Sequence, residues 1–139
     1  MRYVLDASVA LKWVLNEPDA AKARQLRGDF RNAVHDLIAP DSFTLEIAHA
    51  LTKAQRRRLV PDAWRLWLDV MTTVPHLFPS LPLTPRAIQI ATKARIGVYD
   101  CLYVALAERE GCEMVTTDAR LLNNLNPSYP FIISLASVP

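Results

Sequence analysis

The stretch GVYDCLYVALAEREGCEMVTTDARLL, residues 97–122, predicts a helix, a strand and a second helix in that order. The first helix, Tyr99–Glu110, is apolar on nearly every side, so it must lie in the centre of the molecule. Gly111 ends it, and the short apolar run Met114–Thr117 fits a buried strand that leads into a helix over Ala119–Leu125. Short apolar strands alternating with helices are typical of an α/β domain whose helices cover both faces of a parallel sheet.

The same alternation runs through the rest of the chain. Apolar runs predict further strands at Tyr3–Leu5, Asp36–Ala39, His76–Leu81 and Phe131–Ser134. Helical spacing predicts helices over Val9–Leu15 and Ala20–Phe30, and a third from Asp41 or Ser42 through Ala54. A fourth helix begins at Pro61 and has an apolar stripe of Trp64, Leu68 and Met71. A fifth runs from Thr84 to Gly97 with a stripe of Ile88, Ala91 and Ala94. No repeat or linker interrupts the pattern, so we expect a single domain over residues 1–139.

Composition narrows the class of protein. The 139 residues are 51% hydrophobic with a net charge of +2, which is typical of an ordinary globular protein and only weak evidence for a nucleic-acid partner. Cys101 and Cys112 lie in or just after an apolar helix, which favours buried free thiols over a disulfide framework or a zinc site. Asp6 and Lys12 interrupt the apolar N-terminal stretch, which argues against a signal peptide or membrane span. We therefore expect a cytoplasmic protein.

Four acidic residues stand where predicted strands end or helices begin. Asp6 and Asp118 directly follow two strands, and functional clefts in parallel sheets lie at the carboxyl ends of the strands. Asp100 starts the central helix, and Glu46 lies one turn inside its helix, between a polar and an apolar face. Carboxylates that converge repel one another unless a hard cation such as Mg²⁺ or Mn²⁺ binds them. Convergence would therefore predict metal chemistry.

Each acid taken alone has a simpler explanation. Asp6 and Asp118 are well placed to cap the helices that follow them. Glu46 alone fits a solvated helix surface. Asp100 is harder to explain in this way, because an acid beside a wholly apolar helix is unusual unless it caps the helix or binds a ligand. Periodicity does not decide between capping and convergence.

Four sequence blocks together resemble the PIN-domain nucleases. They are VLDASVALKW, APDSFTLEIAHAL, GVYDCLYVALAE and VTTDARL, and the resemblance extends over residues 2–134 in the family's order. It is closest to the VapC-type toxins of bacterial and archaeal toxin–antitoxin pairs. The resemblance implies a three-layer α/β/α domain with a five-stranded parallel sheet, acting as a Mg²⁺- or Mn²⁺-dependent endoribonuclease. It also implies a homodimer and an antitoxin that inserts a segment across the site.

The resemblance also carries functional residues onto this sequence. It implies that catalysis and metal binding are carried out by Asp6, Glu46, Asp100 and Asp118. The family's hydroxyl positions match Ser8 and Thr117, which would fix the geometry of the carboxylates. His49 departs from the asparagine that many relatives carry; its imidazole would hydrogen-bond Glu46 or a phosphate, or would only fill space. Asp41 is a weaker candidate, since helix capping explains it.

RNA binding at an anionic site requires cations around it. The candidates are Lys12, Lys53, the run Arg56–Arg58, Arg86, Lys93, Arg95 and Arg120. The arginine run also fits a solvated helix end, where cations complement the helix dipole. The three tryptophans, at 13, 64 and 67, lie at helical spacings that favour the core or an interface over base stacking. No RNA-recognition motif indicates a sequence preference.

Two other functions fit parts of the pattern. A receiver-like regulatory domain also uses acids and Mg²⁺, but it requires adjacent acids after the first strand, where Asp6 stands alone. It also requires an acid at the end of a mid-chain strand, whereas Glu46 lies within a helix. A PIN fold that only binds partners is the second alternative, and the presence of all four acids argues against it.

Overall fold

The structure has a sheet of five parallel strands, as predicted. The computed structural model describes residues 1–139 and contains strands β1 (Arg2–Leu5), β2 (Asp36–Pro40), β3 (His76–Phe78), β4 (Glu113–Thr116) and β5 (Ile132–Ser134). The strands are ordered β3-β2-β1-β4-β5, and each pairs in parallel with its neighbours. The first strand in sequence is therefore the central strand of the sheet.

Seven helices connect the strands and cover the sheet. They are α1 (Ala7–Leu11), α2 (Ala20–Arg31), α3 (Phe43–Arg56), α4 (Ala63–Met71), α5 (Thr84–Ala94), α6 (Val98–Glu110) and α7 (Ala119–Leu125). Single turns of 3₁₀ helix occupy Leu81–Leu83 and Leu135–Ser137. None of the helices is both long and apolar enough to cross a bilayer. The arrangement is the three-layer α/β/α fold that the resemblance implies.

Helix α6 is the central helix that the apolar run predicts. Every residue from Cys101 to Ala107 is buried, and the helix packs against α5 and against strands β1, β2 and β4. Gly111 ends it in the left-handed region at φ 63°, which glycine adopts without strain. The helix belongs to one continuous hydrophobic core of 34 buried residues.

Leu106 of α6 provides a test of this core. Its side chain is fully buried, so Leu106→Ala leaves a cavity and is expected to lower the free energy of unfolding by about 2–5 kcal/mol. Urea denaturation followed by circular dichroism measures the change. Leu81→Ala is the matched control, because Leu81 is 83% exposed and its truncation should cost roughly 0.5 kcal/mol or less. Equal losses in the two variants would contradict the central position of α6.

The sheet topology places the carboxyl ends of β1 and β4 side by side. Leu5 pairs with Val115 in the register of these strands, and the N–H of Asp6 donates to the Val115 carbonyl at 3.1 Å. The chain therefore leaves β1 and β4 at the same edge of the sheet. Asp6 and Asp118, which follow these two strands, are brought to that edge together.

Some helix boundaries differ from the predicted ones. Helix α1 ends at Leu11, and turns occupy the following residues up to Leu15. Helix α5 ends at Ala94, where Arg95 takes a left-handed conformation with φ 56°. Gly97 was predicted to end α5, but it occupies the N-cap position of α6. The chain thus passes from α5 to α6 through a very short connection.

Helix α4 buries a different face from the predicted one. Val70 is its only buried residue, whereas Trp64 is 64% exposed and Leu68 is 44% exposed. Trp64 stacks on Trp67 with 5.8 Å between the ring centroids. The Trp67 indole N–H donates to a backbone carbonyl of α3 at 3.0 Å. Ala63, Leu66, Trp67 and Met71 also pack against the core. The predicted stripe is therefore right at Met71 and wrong at Trp64 and Leu68.

The buried face of α5 also differs from the predicted one. Ala87 and Ile90 are buried, whereas Ile88 is 52% exposed. Ala91 and Ala94 of the predicted stripe are only partly buried against the core. The predicted stripe is therefore right at Ala91 and Ala94, which pack against the core, and wrong at Ile88.

Both cysteines are free thiols, as the sequence predicts. Cys101 is buried and Cys112 is half-buried. Burial raises the pKa of the Cys101 thiol to about 11, and the nearby Asp100 charge adds to the rise. A thiol that stays protonated at neutral pH is a poor nucleophile and metal ligand.

Candidate active site

The structure brings all four predicted acids into one cleft at the carboxyl edge of the sheet. The cleft has a volume of about 570 Å³. Its polar walls are formed by Asp6, Ser8, Ser42, Glu46, His49, Tyr99, Asp100 and Asp118. Loops after β1 and β4 and the first turns of α3 and α6 supply the four carboxylates. Acids that are far apart in the sequence therefore share one small volume.

Asp6 is the most buried of the four acids, with 4% of its surface exposed. It stands at the N-cap position of α1, but its side chain makes no capping bond. Its Oδ2 accepts hydrogen bonds from Ser8 Oγ and Thr116 Oγ1, both at 2.7 Å. Burial raises the pKa of Asp6 to about 6; the two hydroxyls oppose the rise, and the charges of Asp100 and Asp118 add to it.

The second hydroxyl that fixes Asp6 belongs to Thr116, where the resemblance implies Thr117. Thr116 Oγ1 donates to Asp6 and accepts from the N–H of Asp118 at 3.0 Å, so it links the ends of β1 and β4. The Thr117 hydroxyl makes no hydrogen bond; only its backbone N–H donates, to Ser8 Oγ at 3.2 Å. Side chains alternate between the two faces of a strand. A shift of one residue therefore decides which hydroxyl reaches the acid.

Glu46 is held from two elements through one of its oxygens. Its Oε2 accepts from Ser42 Oγ at 2.8 Å and from the Tyr103 hydroxyl at 2.9 Å. Ser42 was a predicted cap of α3, but it makes no capping bond. Burial raises the pKa of Glu46 to about 7; the two donors oppose the rise, and the Asp6 and Asp100 charges add to it. Glu46 thus titrates close to neutral pH.

Tyr103 is a site residue that sequence reasoning missed. It is fully buried in α6 and donates to Glu46 from the core side of the cleft. Burial, followed by the neighbouring carboxylates, raises its pKa well above the ordinary value, so the phenol keeps its proton. The sequence does indicate that this tyrosine, inside an apolar helix, needs a partner, because a buried phenol usually makes a hydrogen bond. The sequence does not show which partner that is.

Asp118 both caps a helix and lines the cleft. Its Oδ1 caps α7 by accepting from the N–H groups of Arg120 at 2.9 Å and Leu121 at 3.3 Å.

Asp100 lies in the first turn of α6, with its Oδ2 at 3.4 Å from Arg120 Nη2. Burial raises the pKa of Asp100, the Asp118 charge adds to the rise, and Arg120 opposes it. Arg120 is the only cation paired with any of the four acids.

Each of the four carboxylates makes its protein contacts through one oxygen only. These oxygens are Asp6 Oδ2, Glu46 Oε2, Asp100 Oδ2 and Asp118 Oδ1. The second oxygen of each group has no hydrogen-bond partner in the protein, although each acid lines the cleft. Four fixed carboxylates therefore each keep one oxygen for a ligand.

The donor set fits a hard divalent cation by its chemistry. All four groups are carboxylates, which Mg²⁺ and Mn²⁺ prefer as ligands. Burial close to like charges raises the pKa of Asp6, Glu46 and Asp100, and a bound cation would favour their ionised forms. No three His, Cys, Asp or Glu side chains are grouped closely enough to hold an ion as they stand. A cation in this cleft would therefore be held partly through water, or directly once the carboxylates move closer together.

Three of the predicted RNA-binding cations lie at or near the cleft. Arg120 contacts Asp100, and His49 lines the cleft as an exposed imidazole with no hydrogen bond to Glu46. Lys53 lies farther along α3 beside a smaller cleft that also includes His49. Arg120 and Lys53 therefore place positive charge next to the acidic cleft.

Two others of the predicted cations, Lys12 and Arg86, are engaged elsewhere. Lys12 donates to the carbonyl of Pro18 at 2.9 Å and is largely covered. Arg86 forms a two-bond ion pair with Glu108, at 2.7 and 3.0 Å, between α5 and α6. Neither side chain lines the cleft, so the structure does not bring them to the site.

The fold and the cleft together define an α/β protein with a carboxylate site at the edge of a parallel sheet. Residues 3–125 match the PIN domain family, and the chain belongs to that family. It is similar to Ribonuclease VapC12 of Mycobacterium tuberculosis, with 38% identity over 85% of this chain and 88% of that protein. Ribonuclease VapC9 of the same species is 36% identical over 94% of this chain and 96% of that protein. The resemblance predicted from the four sequence blocks is confirmed.

A solved structure shows the same fold. The crystal structure of PAE2754 from Pyrobaculum aerophilum superimposes with a TM-score of 0.70, covering 99% of this chain and 94% of that one. The sequence identity is 22%, so this likeness concerns the fold alone. Membership of the PIN family leaves no support for a receiver-like domain.

Proposed function

We propose that this chain is a Mg²⁺- or Mn²⁺-dependent endoribonuclease and the toxin of a type II toxin–antitoxin pair. The observation that carries the proposal is the cleft in which four fixed carboxylates each keep one oxygen free. The names of the relatives, VapC ribonucleases, support the same activity. The reaction is hydrolysis of an RNA phosphodiester bond.

The four acids divide the work of the site. Asp6, Asp100 and Asp118 hold the cation directly or through water, and Glu46 holds it or orients the attacking water. A bound divalent cation would supply positive charge to the phosphate and lower the pKa of a water molecule. Glu46 lines the cleft with Oε1 free of protein partners, which suits a group that would orient a water molecule beside the cation. Ser8 and Thr116 keep Asp6 in position.

The cationic side chains near the cleft would bind the RNA backbone. Arg120 lies beside the acids, and His49, Lys53 and Arg57 follow the same side of α3 away from them. Contacts to phosphate position a nucleic acid without reading its sequence. We therefore assign these residues to backbone binding and expect their contribution to weaken as salt concentration rises.

Incubation of the purified protein with structured RNAs tests the proposal. We expect cleavage in Mg²⁺ or Mn²⁺ and none in EDTA, with recovery when the cation is restored in excess. Asp100→Asn is the matched inactive variant, because it removes one charge and keeps the size of the side chain. Cleavage that persists in EDTA or in Asp100→Asn would contradict the metal site. Absence of cleavage under every condition would favour a PIN fold that only binds partners.

Replacement of Thr116 by valine tests the bond between the two strand ends. Thr116→Val keeps the shape of the side chain but removes the donor to Asp6. Loss of such an outer contact is expected to lower cleavage by about 10- to 100-fold and to shift the pH optimum upward, because the pKa of Asp6 rises without the donor. Thr117→Val is the matched control and should cleave normally, since that hydroxyl makes no hydrogen bond. Equal effects would contradict the assignment.

We further propose that the protein acts in the cytoplasm as a homodimer that an antitoxin inhibits. The relatives and the exposed apolar side chains of α4, Trp64 and Leu68, support a protein that is covered by partners. Light scattering of the purified protein tests the dimer, and copurification with a coexpressed neighbouring gene product tests the antitoxin.

A further inference from the structure

A second cleft adjoins the acidic one. It has a volume of about 590 Å³ and shares Ser42, Leu45 and Tyr99 with its neighbour as common walls. Val98 and Leu102 of α6 make its interior apolar. The two clefts are therefore neighbours that meet at a common wall.

Tyr99 stands between the two clefts. It directly precedes Asp100 in the first turn of α6, and 62% of its surface is exposed. Its hydroxyl makes no hydrogen bond within the protein, and its ring belongs to no aromatic pair. The ring is thus presented to the cleft rather than used to build the core.

Asp41 gives the second cleft a fixed acceptor. Its Oδ1 accepts from the N–H of Ser80 at 3.2 Å and from the Ser80 hydroxyl, which locks the side chain between the ends of β2 and β3. Asp41 was a predicted helix cap, but α3 begins after Ser42 and Asp41 binds across to Ser80. Its Oδ2 has no partner in the protein. The second cleft therefore offers an aromatic face and a free carboxylate oxygen.

We propose that the second cleft holds a nucleobase of the RNA substrate, stacked on Tyr99, next to the phosphate that is cleaved. This inference rests on the proposed endoribonuclease function. Single-stranded RNA is recognised by stacking unpaired bases on aromatic side chains and by hydrogen bonds to their edges. The shared wall places such a base directly beside the acids.

The carboxylate of Asp41 decides which bases fit. An ionised carboxylate only accepts hydrogen bonds, so it repels phosphate and favours a base edge that presents N–H donors. Guanine presents two adjacent donors, N1–H and the N2 amino group, and either of them can donate to the one free oxygen, Oδ2. Uracil presents a single N–H between two carbonyl oxygens. We therefore infer a preference for guanine over uracil at this position.

The test compares short single-stranded RNAs that differ only in the bases flanking the cleaved bond. Tyr99→Ala is expected to raise KM by about 5- to 100-fold, the range seen when a base-stacking residue is truncated, and to leave kcat nearly unchanged. Tyr99→Phe should behave as the wild type. Ile88→Ala is the matched control, because Ile88 is 52% exposed, like Tyr99 a surface side chain, but lies outside both clefts.

Base preference gives a readout that a merely structural role would not change. Asp41→Asn keeps an oxygen for Ser80 and turns an N–H donor into the cleft, so the preference for guanine over uracil should fall or reverse. Unchanged KM and preference in Tyr99→Ala and Asp41→Asn, with wild-type cleavage intact, would overturn this proposal and leave the nuclease standing. If only binding of a protein partner changed, the cleft would be a protein-docking surface. Failure of the wild type to cleave any RNA would overturn both.

Discussion

Replacement of Asp6 by asparagine is expected to abolish RNA cleavage and, at the same time, to stabilise the metal-free protein. Loss of an outer contact to a metal ligand costs about 10- to 100-fold in activity, so loss of the ligand itself should cost at least roughly 100-fold. The stability gain has a separate cause. Asp6 is nearly fully buried with a pKa of about 6, against 3.8 for an ordinary aspartate. Its charge therefore opposes folding.

The sign of the stability change depends on pH. Between about pH 4 and 6 the folded state binds the Asp6 proton more tightly than the unfolded state, so the free energy of unfolding falls as pH rises through this window. Above pH 6 the ionised Asp6 side chain lowers the free energy of unfolding by about 2–3 kcal/mol, which corresponds to its rise in pKa from 3.8 to about 6. Asp6→Asn removes this charge and therefore this loss of stability. The variant should be more stable than the wild type at pH 7.5 and equal to it below about pH 4.

Urea denaturation in EDTA at several pH values measures this difference. Asp118→Asn is the matched control, because asparagine caps a helix nearly as well as aspartate, and its stability should stay close to that of the wild type. A loss of stability in Asp6→Asn at every pH would show that the Asp6 carboxylate supports the fold. Cleavage by Asp6→Asn at the wild-type rate would remove Asp6 from the metal site.

Acidification is expected to weaken metal binding by about 100-fold between pH 7.5 and 5.5. A cation binds the ionised carboxylates, so protons compete with it. Glu46, with a pKa of about 7, contributes roughly 25-fold of this change, and Asp6, with a pKa of about 6, contributes roughly fourfold. Titration calorimetry with Mg²⁺ at the two pH values measures the change.

Glu46→Gln separates the two contributions. This variant should bind Mg²⁺ more weakly at pH 7.5, and its affinity should change clearly less than that of the wild type over the same pH range, because the contribution of Glu46 is removed. A wild-type affinity that does not change between pH 5.5 and 7.5 would show that neither group binds the cation in its ionised form.

The parts of the site that the sequence predicts are those that depend on strand ends. Asp6 and Asp118 follow apolar strands, and parallel strands bring their carboxyl ends to one edge. Asp100 was marked by its contrast with the apolar helix that it begins. These arguments use only the order of strands and helices along the chain, which short apolar runs and helix caps indicate. They bring the residues to the same edge of the sheet but do not predict which side chains contact one another.

The contacts themselves depend on rotations and shifts that periodicity does not resolve. The sequence did not identify Tyr103 as a site residue because α6 is buried all round from Cys101 to Ala107. No polar face of this segment therefore shows which side chains point toward the cleft. Thr116 and Thr117 are adjacent, and the alternation of a strand makes their choice depend on an exact strand end. Ser42 and Asp41 were both predicted caps, yet each bonds to a partner outside the backbone of α3. Tertiary contacts decided all three cases.

The central position of β1 also governs when the site can form during translation. The bond between Thr116 and Asp6 joins residues 110 apart, and β1 meets β4 only after Glu113–Thr116 have been made. At about 5–20 residues per second a ribosome needs roughly 5–20 s to translate the stretch between Asp6 and Thr116. During that time the nascent chain already carries Asp6, Glu46 and Asp100 but lacks the strand that aligns them. The contacts that hold Asp6 in the cleft can therefore form only after β4 has been synthesised.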